Sequence, residues 1–163
     1  GVTTSATAPG EGHWGGALDI AGALYGLDVG VFMVKVSYDQ KQYRRFLMET
    51  YGATMHSSPS NLTESGRHVL AMDPDSTGSL GIAISEAVEV AAKNADTHYS
   101  LGSVLNHVCL HQTIIGLQAC RQMEMAQAEP DVVIARVGRC STFAGTPYPY
   151  VRRTKEGTPN QLW

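Results

Sequence analysis

Charge is scarce in this chain. Only 17% of its 163 residues are Asp, Glu, Lys or Arg, and the formal net charge is -3. A nucleic-acid binder needs a basic stripe, which this balance does not supply, so nucleic acid is excluded as a partner. Long apolar runs are missing as well. None approaches the roughly 18 residues of a membrane span. Cysteine is sparse: Cys109, Cys120 and Cys140 cannot build a disulfide framework and sit on no C-x-x-C spacing. The opening Gly1-Val2-Thr3-Thr4-Ser5 lacks the positive and apolar regions of a secretory signal. Together these absences lead us to expect a cytoplasmic protein with no membrane partner. What is plentiful is apolar residues, at 43%. A folded chain of this length buries on the order of 70% of its extended surface, so one folded domain over 1–163 is expected.

The chain alternates two periods. Gly1 to Thr7, rich in Thr and Val, reads as a short strand, followed by the Gly-rich turn Pro9 to Gly16. Ala17, Ile20, Ala21 and Leu24 then repeat at helical spacing, and Gly26 and Asp28 mark the end of that helix. Val29 to Val36 contains Val-Gly-Val-Phe-Met-Val, a continuous apolar run of the kind expected for a strand covered on both faces. Ser37 or Asp39 can cap a second helix, with Tyr43, Phe46 and Leu47 as its buried stripe and Gly52 as its stop. A strand at Ala53 to His56 follows. This order predicts a small parallel sheet of about four strands flanked by helices, with right-handed crossovers.

Further on, a loop at Ser57 to Ser60 leads into a short helix over Asn61 to Leu70, and 73–78 is turn chemistry. Leu80, Ala83, Ile84, Ala87 and Val88 mark another helix, and a longer one runs from about Val104 to Met125. Val132 to Val137 reads as the final strand, followed by a second Gly-rich turn from Gly138 to Gly145. The tail, 146–163, with three prolines, reads as an extended terminal arm.

Both Gly-rich turns follow strands and precede helices. In a parallel sheet they fall at the carboxyl edge, where ligands bind. Free amides at a helix start favour anions, Ser141 and Thr142 add hydroxyls, and Arg139 adds charge. A small anionic ligand is the natural partner of such an edge. His107 and His111, four apart, share a helix face and have the spacing of a metal pair, but no third ligand is evident; packed or surface histidines are the ordinary reading, and no metal site is assigned. Glu86 and Glu89 could form a carboxylate pair, against the ordinary reading of a solvated helix face. Read unaided, the residues define an α/β anion or small-ligand binder.

Several stretches resemble the tryptophan synthase beta chains, nearest their diverged second branch. Gly10-Glu-Gly-His-Trp-Gly15 is similar to that family's substrate loop. Val36-Ser-Tyr-Asp-Gln-Lys-Gln-Tyr-Arg-Arg45, Gly78-Ser-Leu-Gly-Ile-Ala-Ile-Ser-Glu-Ala87 and Tyr99-Ser-Leu-Gly-Ser-Val-Leu-Asn-His107 carry the likeness onward. Pro130-Asp-Val-Val-Ile134 leads into Gly138-Arg-Cys-Ser-Thr142, which resembles the family's phosphate loop. The resemblance covers nearly the whole chain and matches the middle of the family's sequence only.

It implies the fold-type-II architecture of pyridoxal-phosphate enzymes, in particular their N-terminal region. It also implies descent from enzymes that make tryptophan from serine and indole on that cofactor, held by a lysine Schiff base. On this reading the chain begins after the lysine-bearing segment, and Lys35, Lys41, Lys93 and Lys155 match none of the family's Schiff-base context. The acid–base glutamate maps onto Ala8, which can move no proton, and the adjacent threonine onto Pro9, which has no amide hydrogen. Glu11 replaces an alanine where the family binds a substrate carboxylate; two such charges at 4 Å repel by about 1 to 4 kcal/mol. In the phosphate loop Arg139 and Cys140 replace glycines and Thr142 an asparagine, while Ser103 is retained. The expectation is a truncated tryptophan synthase beta-like protein without the parent activity, with no catalytic residues and no covalently bound cofactor. Gly10, Glu11, Gly12, His13, Ser103, Gly138, Arg139, Ser141 and Thr142 remain as ligand candidates. The alternatives are an anion-binding module and a homo-oligomeric structural partner.

Overall fold

The computed structural model describes residues 1–9, 13–103, 105–135, 140–157 and 161–162. The chain divides into two compact units, Gly1–Leu101 and Gly102–Trp163.

The first unit is built on β1 (Thr4–Thr7), α1 (His13–Tyr25), β2 (Asp28–Val34), α2 (Lys35–Gln40), α3 (Gln42–Tyr51), β3 (Thr54–Ser58), α4 (Glu64–Met72), α5 (Leu80–Lys93) and β4 (Thr97–Tyr99). All four strands are parallel, in the order β3-β2-β1-β4. The expected four-stranded parallel sheet is therefore present. Its fourth strand is β4, however, not Val132 to Val137. Thr97-His98-Tyr99 has no apolar run to announce it, and it joins the sheet because Thr4, Ser5 and Ala6 offer it a free edge.

β2 fixes the layering. Val29, Val31 and Met33 face one side and pack with Met48 and Ala53. Phe32 and Val34 face the other, with Ala6, Ala8, Ala83 and Ala87. α1 and α3 thus cover one face and α5 the other, which is why β2 carries no polar side chain after Asp28. Two expectations about the first face are corrected. α1 starts at His13, four residues earlier than its apolar stripe suggested, because Gly15 and Gly16 let the helix lie close to its neighbours: a Cβ on Gly15 would stand 2.7 Å from Met48 Sδ and 2.9 Å from Pro9 Cγ. In α3 the buried residue is Met48, while Tyr43 is 89% exposed and Phe46 and Leu47 are about half exposed. Gly52, at φ 103°, ends α3 in the left-handed conformation expected of it.

The second unit contains α6 (Asn106–Met125), β5 (Val132–Val133), α7 (Cys140–Gly145), α8 (Tyr148–Lys155) and β6 (Gln161–Leu162). β5 pairs in parallel with β6. Cys120, Val133 and Tyr150 form its core, and Arg153 binds Glu124 and Glu129. Where an extended arm was expected, Tyr148–Lys155 is helical. Pro147 and Pro149 stand at its cap and first turn, positions where the missing amide hydrogen costs nothing. Among the described residues no helix is long and apolar enough to cross a membrane.

Candidate functional site

The sheet order places a topological switch between β1 and β4. From β1 the chain passes to α1 on one face, and β4 is reached through α5 on the other. In open α/β sheets ligands bind at the carboxyl ends of the strands at such a point. Here that edge is formed by 7–9 and 100–101.

The seam at this edge is polar and fully bonded. The Thr7 hydroxyl donates to the Ser100 carbonyl at 2.8 Å, and Trp14 Nε1 donates to Thr7 Oγ1 at 2.9 Å. One residue on, the chemistry changes. Ala8 is 4% exposed and belongs to the apolar cluster with Ala6, Phe32, Val34, Ala83 and Ala87. No side chain able to carry a proton is present at this point of the strand. Pro9 is buried beside it.

Of the candidate ligand residues in the first unit, His13 is described: it is exposed at the start of α1, with Nε2 3.0 Å from Arg44 Nη2. Gly10, Glu11 and Gly12 lie outside the described residues. In the second unit Ser103 is 4% and Ser141 5% exposed, while Thr142 is exposed on α7. Gly138 and Arg139 lie outside the described residues.

The clearest polar construction lies where the sequence pointed only weakly. Glu86 is fully buried on α5, so the solvated-face reading is corrected. Its Oε1 accepts from the Ser60 amide at 3.0 Å, the Ser60 hydroxyl at 2.6 Å and the Thr63 hydroxyl at 2.8 Å. Thr63 caps α4 by accepting from the Gly66 amide. A Cβ on Gly66 would overlap the Ser60 carbonyl and Glu86 Oε1, so only glycine fits. Glu89, one turn on, accepts from the Glu64 and Ser65 amides and from Lys93. The Lys93 hydrogen bond is the first cause that holds its carboxyl far below the usual range, with the two amides adding to it. The two glutamates are therefore not a reacting pair; they anchor the α4 N-terminus. The signal was the spacing of Ala83, Glu86 and Ala87, which share the buried face of α5. Nearby, burial pushes the His56 imidazole below its ordinary value against an opposing pull from Glu86.

His107 and His111 are both exposed on α6, with ring centroids 6.1 Å apart. Among the described residues no three His, Cys, Asp or Glu side chains converge as a metal site.

Comparison with solved structures identifies the architecture. A hydrogen sulfide-producing enzyme, solved with an alpha-aminoacrylate intermediate, matches 98% of this chain and 41% of its own at TM-score 0.66 and 24% identity. Escherichia coli diaminopropionate ammonia lyase in its apo form matches 90% of this chain and 36% of its own at TM-score 0.67 and 16% identity. The fold is that of part of a fold-type-II pyridoxal-phosphate enzyme. No family model matches the chain.

Curated relatives narrow the class. Tryptophan synthase beta chain 2 of Aeropyrum pernix is 54% identical over 159 residues, covering 97% of this chain and 35% of the relative. The proteins of the same name from Thermotoga maritima and Pyrococcus furiosus are 53% and 52% identical over 151 and 157 residues. In sequence, the chain is similar to a section of these proteins, and it spans about 35% of the length of the curated relatives it matches.

Proposed function

We propose that this tryptophan synthase beta-like section no longer supports the tryptophan-forming reaction of its relatives. The observation that carries the reading is Ala8. It stands at the carboxyl end of β1, at the switch point, where the family resemblance implies the acid–base glutamate, and it is packed among alanines, Phe32 and Val34. Pro9 beside it offers no amide hydrogen. The resemblance further puts Glu11 in place of an alanine, where its charge opposes a substrate carboxylate, and Arg139 and Cys140 in place of glycines, where side chains would crowd a phosphate held by backbone amides.

A bound pyridoxal phosphate would supply the electron sink of this chemistry. On the resemblance the phosphate would be held by residues 138–142, of which Ser141 is buried at the start of α7. What the first unit contributes at the carboxyl edge of its own sheet is apolar filling and a closed polar seam at Thr7, Trp14 and Ser100, and neither moves a proton.

The test is a graft. Residues 7–16 replace the corresponding loop in the complete Thermotoga maritima beta chain 2. Tryptophan formation from serine and indole should fall by about 10² to 10⁴, the usual worth of a general acid–base group. A graft within tenfold of its host would overturn the proposal.

A second reading concerns assembly. Leu110, Ile114 and Leu117 lie along one side of α6 and are 51% to 68% exposed. We propose that a further copy of this chain covers them, because stranded apolar surface favours self-association. Light scattering should find a dimer or larger species that a Leu110→Ser, Leu117→Ser double variant shifts toward monomer. A monodisperse monomer at high concentration would contradict this.

A further inference from the structure

His107 and His111 lie four residues apart near the start of α6, which places them one helical turn apart on the same side. Both are exposed, and their rings stand 6.1 Å apart between centroids at an interplanar angle of 71°. We propose that the two imidazoles form a bidentate site for a divalent transition-metal ion of the copper, nickel and zinc class.

Histidine nitrogens bind such ions at about 2.0–2.1 Å. Two rings at this separation need only small rotations about exposed side-chain bonds to direct one nitrogen each at a shared ion. The spacing of four is what allows this; at one or two residues the rings would diverge. Cys109, two positions from each histidine, falls on the other side of the helix and does not join them. With no third protein ligand among the described residues, water fills the remaining positions. The site is therefore open and exchangeable, unlike the closed four-ligand sites that hold a fold together. Imidazole ligation selects nickel, copper and zinc over magnesium or calcium, and copper should bind most tightly of the first three. The positive end of the α6 dipole opposes a cation here, which keeps the affinity modest. An edge-to-face ring contact with no metal role is the competing explanation of the same geometry.

Equilibrium dialysis of the whole chain against Ni(II) separates the two. The expected result is one saturable class of sites of modest affinity, close to one per chain. His107→Ala and His111→Ala should each weaken it at least about tenfold, since even the loss of outer-shell partners costs that much at metal sites. His68→Ala and His98→Ala, at two other exposed histidines, should leave it unchanged. Should His107→Ala disturb the first turn of α6, seen by circular dichroism, His111→Asn removes the chelate in the second turn. Undiminished Ni(II) binding in His111→Asn or His111→Ala, an equal loss in His68→Ala or His98→Ala, or no saturable class at all would overturn the proposal.

Discussion

Asp19 shows how a single side chain can set the pH response of this fold. It lies on the buried side of α1 at 1% exposure, and its Oδ2 has no hydrogen-bond partner among the described residues. Burial raises its carboxyl above the ordinary aspartate range. A folded-state value above the unfolded one means stability that is present at acid pH and is lost as pH rises through the folded value. Asp19→Asn should therefore flatten the decline of urea-unfolding stability between acid and neutral pH. An unchanged pH profile would contradict the assignment. Glu89 acts in the opposite sense. Its folded value lies below the ordinary range, so its contribution is present at neutral pH and is lost as pH falls below the unfolded value. Glu89→Gln should remove part of the acid-side loss, read in the same experiment. Gly66→Ala is the severest small change in this region. The added methyl meets the Ser60 carbonyl and Glu86 Oε1, and it should cost about 1–3 kcal/mol in chemical unfolding, as overpacking does.

At the scale of the element, α3 separates packing from pattern. Met48→Ala should destabilise by about 2–5 kcal/mol, because Met48 is fully buried against β2. Tyr43→Ser should stay within about 0.5 kcal/mol, as surface changes do, since Tyr43 is 89% exposed. The aromatic residues of this helix advertised a core face that the fold turns outward, and this explains what the sequence could and could not reveal. Elements with a sustained period were legible: α1, β2, α5 and α6 lie within a few residues of where their apolar spacing put them. β4 was not, because three residues, Thr97, His98 and Tyr99, carry no period, and their strand is defined by the open edge of β1. α8 was hidden by its prolines, which read as breakers but occupy a cap and a first turn. Glu86 looked like a surface charge until its partners Ser60 and Thr63 were brought to it from 26 and 23 residues away. Long-range polar partners of that kind leave no local trace.

Across the whole molecule, the order β3-β2-β1-β4 puts the topological switch at the carboxyl end of β1, which is where the proposed function locates the loss of the proton carrier. The resemblance located the loop from the sequence; the structure adds that Ala8 is sealed into an apolar cluster, not merely short of a carboxylate. The likeness to complete beta chains covers about 35% of their length. The most direct measurement is a single reversion, Ala8→Glu, inside the Thermotoga maritima chain that carries residues 7–16. If the missing proton carrier is the cause, tryptophan formation should recover by at least about tenfold, a fraction of what a general acid–base group contributes. Recovery that requires Pro9→Thr or Glu11→Ala instead, with Ala8→Glu inert, would contradict the account.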